Sequence, residues 1–533
     1  MDWSVVVFYL GALGEVKYVI ASETPPYVWA ALAAALLYVV LGPWLLARFL
    51  ARRGSSRARE DAASPRLLAA GLCLVALGLA GFSLVPGAED TNRSFSLSPP
   101  VNLLATGIGG PGEEELSAGE PEGPVRSPLE NVKLEETPDT TRRNVVIISL
   151  ESPRAKSVTP YNPDIETTPY LDELAEKSLL VERAYTEIPH TSKALTAVNC
   201  GIYPDTDTQI TGAKPGGIPA RCLPELLEEQ GYNTAYLQSA TETFEDRPVQ
   251  VENLGFGYFQ ALEDMDKEGF QRANYLGYED DIMLEPSREW LEENAKEAPF
   301  MVMYDTITPH HEYLAPDRYG IKDFAEDPQL DGYLNGVRYV DFFVKNIIEQ
   351  YKDLGLYEDT IFVILGDHGE AFGEHGVRGH DGVIYEEGQK VPLIVHDPKR
   401  WQNGERVSGE TPVNQLDVAP TILEMLGYEA VDGEYPGRSF LGPLPRYRTL
   451  FMSCRPDPTC AASIEGDRKY IYHYGNQPEE FYDLSEDPRE RNNIAGQLPP
   501  GELERRREEL LEWRSRTAAL YDDNPPSEPG KVD

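Results

Sequence analysis

Basic residues are scarce in this 533-residue chain: 48 Lys and Arg, only 15 of them Lys, stand against 89 Asp and Glu, for a net charge of −41. A surface this poor in cations cannot neutralise a polyphosphate backbone, so nucleic-acid binding is excluded as the main activity. Cysteine is equally sparse, at five residues, and the Cys454 to Cys460 spacing is too loose for a zinc knuckle. Charged residues are missing altogether from two long stretches, Tyr27–Ala47 and Leu67–Ala88. The chain as a whole is 41% hydrophobic and 10% aromatic, which rules out a mostly disordered protein and provides for a large core. Its acidity and shortage of lysine suit a high-salt or extracytoplasmic setting.

Each uncharged stretch has the roughly 20 residues that a helix needs to cross about 30 Å of hydrocarbon. Between them lie Arg48, Arg52, Arg53, Arg57, Arg59 and Arg66. A short loop so rich in Arg stays cytoplasmic, which sends everything after Ala88 to the far side of the membrane. Residues 3–22 are a third candidate span, with a surface-lying segment as the alternative because Glu15 and Lys17 fall inside it. Residues 89–141, with clusters such as Pro111 to Glu115 and Gly119 to Gly123, read as an extended, self-repelling tether.

From Asn144 the pattern is that of a large α/β domain. Val145 to Leu150, Pro299 to Thr306 and Thr360 to Leu365 are short apolar runs of the kind found in buried strands. Helical patterns alternate with them at Thr168 to Ser178, Leu223 to Gln230, Leu334 to Tyr351 and Val418 to Leu426. Such alternation predicts a mainly parallel sheet covered on both faces, with functional residues at the carboxyl ends of its strands. Three predicted strand ends carry candidate groups: Glu151, the Gly366 to Glu370 segment with Asp367 and His368, and the Asp305 to His311 segment. Two carboxylates and an imidazole at one sheet edge make a hard, oxygen-rich metal site with one nitrogen ligand. Thr191, Ser192 and Lys193 open a predicted helix ending at Cys200 and Gly201. A hydroxyl there is either an N-cap or a nucleophile favoured by the helix dipole.

These residues, in this order, resemble the sulfatase-like branch of the alkaline phosphatase superfamily, and most closely the lipoteichoic acid synthase type of membrane phosphoglycerol transferase. The resemblance runs from about Asn144 to Ala495. It takes in Asn144 to Ser152, Thr191 and Ser192 leading to Gly201, Ile202, Tyr203 and Pro204, Thr308 to His311, Gly366 to Glu370 with Gly373 to Gly376, Gly379 and His380, and Tyr385 to Glu387. Near its end come Phe481 to Leu484, Asp487, Pro488, Asn492 and Asn493. It implies an alkaline phosphatase-like α/β/α sandwich over 142–445, a smaller β-containing subdomain over 446–495, and a C-terminal helix and acidic tail over 496–533, all behind N-terminal transmembrane helices. Glu151, Thr191, Asp367 and His368 fall on the metal-ligand positions, with Thr191 also the nucleophile. His310 falls on a substrate or leaving-group histidine, and Arg247, Lys193 and His380 on the substrate side. The implied cofactor is one divalent cation, Mn²⁺ first, with Mg²⁺, Zn²⁺ or Ca²⁺ as alternatives. The implied substrate is a lipid- or glycan-linked phosphoester, handled at the cell membrane on its extracytoplasmic face.

The chain departs from the pattern in places. Thr191 stands where sulfatases carry the Cys or Ser that becomes formylglycine, a conversion open to neither of threonine's substituents. Asp381 replaces a lysine common before the Tyr-Glu-Glu segment. Gln238 and Glu245 stand where the synthase type has a histidine and a tryptophan. The function expected is phosphotransfer or hydrolysis through a phosphothreonine, with sulfuric ester hydrolysis or a catalytically inactive envelope-binding protein as alternatives. Of the cysteines, Cys73 lies in a predicted span. Cys200, Cys222, Cys454 and Cys460 remain to pair, as 200 with 222 and 454 with 460 among three connectivities, or to stay free thiols.

Overall fold

A computed structural model describes residues 124–522, apart from residues 446, 456–458, 476 and 500. The segments read as membrane spans, 3–22, 27–47 and 67–88, lie outside the described residues. Among the described residues no helix is long and apolar enough to cross a membrane.

The core is a sheet whose strands in chain order are Asn144–Leu150 (β1), Leu179–Val181 (β2), Asn233–Gln238 (β3), Tyr258–Gln260 (β4), Phe300–Asp305 (β5), Thr360–Gly366 (β6), Leu393–His396 (β7) and Glu405–Val407 (β8). Across the sheet they lie in the order β8-β2-β7-β6-β1-β5-β3-β4. Only β7 runs against its neighbours; every other pairing is parallel. Side chains alternate faces along a strand, and β1 makes the two-sided burial plain. Val145 and Ile147 enter one core with Leu195, Leu226 and Ile422, whereas Val146 and Ile148 enter another with Val340, Phe343 and Ile347. The helices supplying these residues are Thr191–Cys200 (α2), Leu223–Glu229 (α3) and Val418–Leu426 (α8) on one face and Pro328–Asp353 (α6) on the other; Pro169–Ala175 (α1) precedes them in sequence, and Arg247–Leu254 (α4), Leu284–Asn294 (α5) and the single turn Glu386–Gln389 (α7) lie between them.

A second, antiparallel sheet of four strands follows: Thr449–Ser453 (β9), Cys460–Glu465 (β10), Arg468–His473 (β11) and Glu480–Asp483 (β12). The last helix, Glu502–Asp522 (α9), packs Leu510 and Trp513 against its Ala461, Tyr470 and Phe481. The chain forms two disulfides, Cys200–Cys222 and Cys454–Cys460. The first joins the end of α2 to the residue before α3.

Two expectations need correction. The stretch read as tether to residue 141 is part of the domain over its described portion. Leu129 and Val132 are fully buried in the core, and Lys133–Glu136 pairs antiparallel with Tyr428–Val431. With Leu134, which is buried in the same core, Leu129 and Val132 make three apolar anchors in an otherwise polar segment, enough to dock it. The long helix α6 begins at Pro328 rather than Leu334. Asp327 caps it, its carboxylate accepting from the Gln329 and Leu330 amides, with Pro328 at the first helical position.

Candidate active site

The ladder of β1 and β6 places Leu150 beside Gly366, so the next residues, Glu151 and Asp367, leave neighbouring strand ends together. Ser152 follows at φ 59°, a region side chains with a Cβ disfavour. That turn lets the Ser152 amide donate to Asp367 Oδ1 at 2.8 Å and its hydroxyl to Glu151 Oε1 at 2.6 Å. The Glu151 amide donates to Thr306 Oγ1, just past β5. The His368 amide also donates to Asp367 Oδ1, and its Nδ1 lies 2.9 Å from the Gly369 carbonyl. A carbonyl can only accept, so Nδ1 carries the proton and Nε2 keeps a free lone pair.

That lone pair is 3.4 Å from Asp367 Oδ2 and 3.7 Å from Glu151 Oε1. Nε2 and Oδ2 are buried and have no hydrogen-bond partner. One ligand atom from each of Glu151, Asp367 and His368 fits within 4.8 Å of the others. Burial and the Asp367 carboxylate push Glu151 well above the usual carboxylate range. Buried acceptors that face one another with no donor between them fit a divalent cation, and two carboxylates with one imidazole are donors for such an ion.

Thr191 opens α2 and donates from Oγ1 to Glu151 Oε2 at 3.2 Å. The N-cap position belongs to His190, whose side chain makes no capping bond, so the Thr191 hydroxyl is not a cap. It is turned to the acidic cluster. The expected metal positions Glu151, Thr191, Asp367 and His368 are thus brought into one buried group.

The other predicted residues surround it. Arg247, at the start of α4 and 2% exposed, donates from Nη1 to Gln250 Oε1 at 2.7 Å and to Ser192 Oγ at 3.4 Å, while its Nε is unpartnered. His380 stacks on His368 at 4.2 Å between ring centres, and its Nδ1 lies 3.1 Å from Glu370 Oε2. Burial opposes its charge, but Glu370, with Asp381 and Glu151 beyond, outweighs burial and holds His380 up at about 10. His310 is 6.2 Å from His380 and 5.6 Å from Tyr275, with Nδ1 unpartnered. Burial and the His380 charge pull it down to about 3. Of this imidazole pair, His380 is the one that carries a proton at neutral pH. Lys193 points elsewhere: its ammonium donates to the carbonyls of Asp207 and Gln209, both at 2.9 Å.

Three contributions escape sequence reasoning. Glu245 reaches His190 Nε2 at 2.9 Å and accepts from Ser192 Oγ. Arg154 donates to the Glu370 carbonyl and to Glu374, fixing the loop after Asp367. The connection between β9 and β10 of the second sheet supplies Arg455, whose amide donates to the Asp381 carbonyl at 2.7 Å. Only Glu245 had a signal, as a charged residue where the resembled family has an aromatic one.

The chain is similar in sequence and in fold to known proteins. The sulfatase family model matches residues 143–428. An ulvan-active sulfatase of Formosa agariphila is 26% identical over 405 residues, 68% of this chain and 79% of that protein. A lipoteichoic acid synthase-like protein of Bacillus subtilis is 26% identical over 54% of this chain and 48% of its own length, so the chain spans about half of that relative. Among solved structures, an alkaline phosphatase superfamily protein from Vibrio parahaemolyticus superposes with a TM-score of 0.60 at 19% identity, covering 78% of this chain and 95% of that one. The lipoteichoic acid synthase LtaP from Listeria monocytogenes gives 0.58 at 16%, covering 75% and 98%. With the family matched across more than half its length and the superfamily's α/β fold around a buried acidic site, the chain belongs to the sulfatase family, as a hydrolase or transferase of that family.

Proposed function

We propose that the protein is a membrane-anchored, metal-dependent phosphotransferase or hydrolase that acts on phosphodiester-type envelope substrates, lipid- or glycan-linked, through a covalent phosphothreonine at Thr191. The observation that carries this reading is the Thr191 hydroxyl, 3.2 Å from Glu151 in the buried cluster and free of any capping role. A divalent cation, Mn²⁺ in first place, held by Glu151, Asp367, His368 and Thr191 Oγ1, would offset the acidic charge and lower the hydroxyl pKa. Arg247 then faces the non-bridging oxygens of the ester. Thr191 Oγ1, its proton lost to solvent, attacks phosphorus; the bond to the leaving alcohol breaks, and the leaving oxygen takes a proton from the His310 and His380 pair. In the second half, water or an acceptor alcohol returns a proton to that pair, attacks phosphorus and releases Thr191.

Sulfuric ester hydrolysis is the second reading, favoured by the match over 79% of the ulvan-active sulfatase and disfavoured by a threonine that cannot become formylglycine. Purified protein with Mn²⁺, offered phosphodiester, phosphomonoester and sulfate esters, tests both. The expected outcome is phosphodiester turnover with a phosphate adduct on the Thr191 peptide by mass spectrometry. Sulfate ester turnover alone, with no adduct, would overturn it.

A further inference from the structure

Glu245 is an anion in an improbable place. It sits at φ 55°, and Asp246 after it at φ 48°, so two consecutive residues hold a left-handed backbone that side chains with a Cβ disfavour. The effect is to aim the Glu245 carboxylate inward at the start of α2. Oε1 takes the His190 Nε2 contact at 2.9 Å, Oε2 takes the Ser192 hydroxyl, and Arg247 Nη2 is 4.0 Å from Oε2. The carboxylate therefore grips the residues on both sides of Thr191 without touching the metal ligands. Gln250 Nε2 completes the clasp on the Ser192 carbonyl at 2.7 Å. Burial alone would raise the Glu245 pKa, but His190, Arg455 and Arg247 outweigh it and keep the group ionised.

The carboxylate is held by the residues on either side of Thr191, so a group bonded to Thr191 Oγ1 is taken to lie about two residue spacings from it, roughly 7 Å, with successive Cα atoms about 3.8 Å apart. At roughly 7 Å and an effective dielectric near 20, one further negative charge on the substrate would be disfavoured about fiftyfold. Arg247 shares the space and reduces this, so about tenfold is the expected size.

We propose that Glu245 is a charge filter: its fixed carboxylate beside Thr191 selects esters carrying one negative charge, phosphodiesters and sulfate esters, against phosphomonoesters carrying two. The inference rests on the proposed function only in placing the ester beside Thr191. It concerns selectivity rather than turnover itself, since none of the steps assigned above passes through Glu245.

The test compares kcat/KM of the Mn²⁺-loaded full chain for bis(p-nitrophenyl) phosphate, p-nitrophenyl sulfate and p-nitrophenyl phosphate at pH 8, where the last carries two charges. Glu245→Gln keeps the shape and can keep both hydrogen bonds while removing the charge. It should raise the monoester relative to the diester about tenfold, with the sulfate ester following the diester. Ser192→Ala, which leaves the carboxylate charged, should keep the wild-type ratio. A purely structural role would lower all three substrates together. An unchanged ratio in folded Glu245→Gln overturns the proposal. Calorimetric binding of methyl phosphate and dimethyl phosphate to the wild-type protein decides the matter if the variant does not fold or no ester is turned over. Tighter binding of dimethyl phosphate supports the filter, and tighter binding of methyl phosphate overturns it. Absence of turnover on every ester would sink the Thr191 reading, which the binding comparison does not need.

Discussion

Thr191→Ala separates a hydroxyl that reacts from one that merely packs. The side chain is buried, its cap position is taken by His190, and its hydrogen bond to Glu151 is 3.2 Å long. The substitution deletes the hydroxyl and the γ-methyl, and so removes one ordinary hydrogen bond and one buried methyl, about 2 kcal/mol together. A domain of this size should lose about 2 °C of Tm. Chemistry scales differently: removing a nucleophile from a group that acts as a unit costs about 10⁴-fold or more in kcat. The assay is bis(p-nitrophenyl) phosphate turnover of wild type, Thr191→Ala and Thr191→Ser, alongside thermal melts and bound metal by elemental analysis. Serine offers the same oxygen with a looser χ1 and should retain partial activity. Loss of metal from the Ala variant would confound the comparison, so metal content is measured on the same sample. A folded, metal-loaded Ala variant with more than about a tenth of wild-type turnover refutes the covalent route.

Asp367→Ala and His368→Ala should each abolish bound divalent metal and activity together, because each removes an atom that has no other partner in the structure; full metal occupancy in both would place the site elsewhere. Glu187 is pushed by burial up to about 8, against about 4.3 in an unfolded chain. The folded state thus holds a proton that the unfolded state has released, and stability falls as pH rises from about 4.5 to about 8, by at most about 1.4 kcal/mol per pH unit. Denaturant unfolding of Glu187→Gln should show a shallower decline over that window, and a wild-type slope in the variant would discredit the assignment. A reporter fused after Gly112 should be active only outside the cytoplasm; cytoplasmic activity would reverse the orientation drawn from the Arg cluster.

What could be read in the sequence, and what could not, follows from how far each signal travels along the chain. Glu151 and Asp367 were legible because one directly follows an apolar run and the other follows its run after a single glycine, Gly366, and parallel strands deliver such residues to one edge. The start of α6 was also signalled, by Asp327 and Pro328, and the reading from Leu334 missed it by weighing periodicity above caps. The Glu245 contacts with His190 and Ser192 had no periodicity to betray them: the partners are 53 residues or more apart, and a left-handed backbone at two non-glycine residues is invisible in composition. Composition left the Thr191 hydroxyl open between cap and nucleophile, because hydroxyls favour helix starts; the extended backbone at His190 takes the N-cap position and leaves Thr191 as the first helical residue. Arg455 comes from the connection between β9 and β10 of a separate sheet, and no local pattern links it to Asp381.

The central position of β1 also governs when the site can exist. Asn144 meets Phe300 and Thr360 across sequence separations of 156 and 216 residues, so the second side of the strand is not satisfied until more than half of the domain has been synthesised. Such long loops make closure slow, because chain entropy is lost before contacts repay it. Glu151 is made early and waits for Asp367, its neighbour across the ladder, through more than 200 residues of elongation. An incomplete chain has the first carboxylate but no cage, and cannot capture a cation selectively. A cation held by this cluster would therefore be drawn from the ions around the finished chain, in the place where it folds rather than where its first carboxylate is translated.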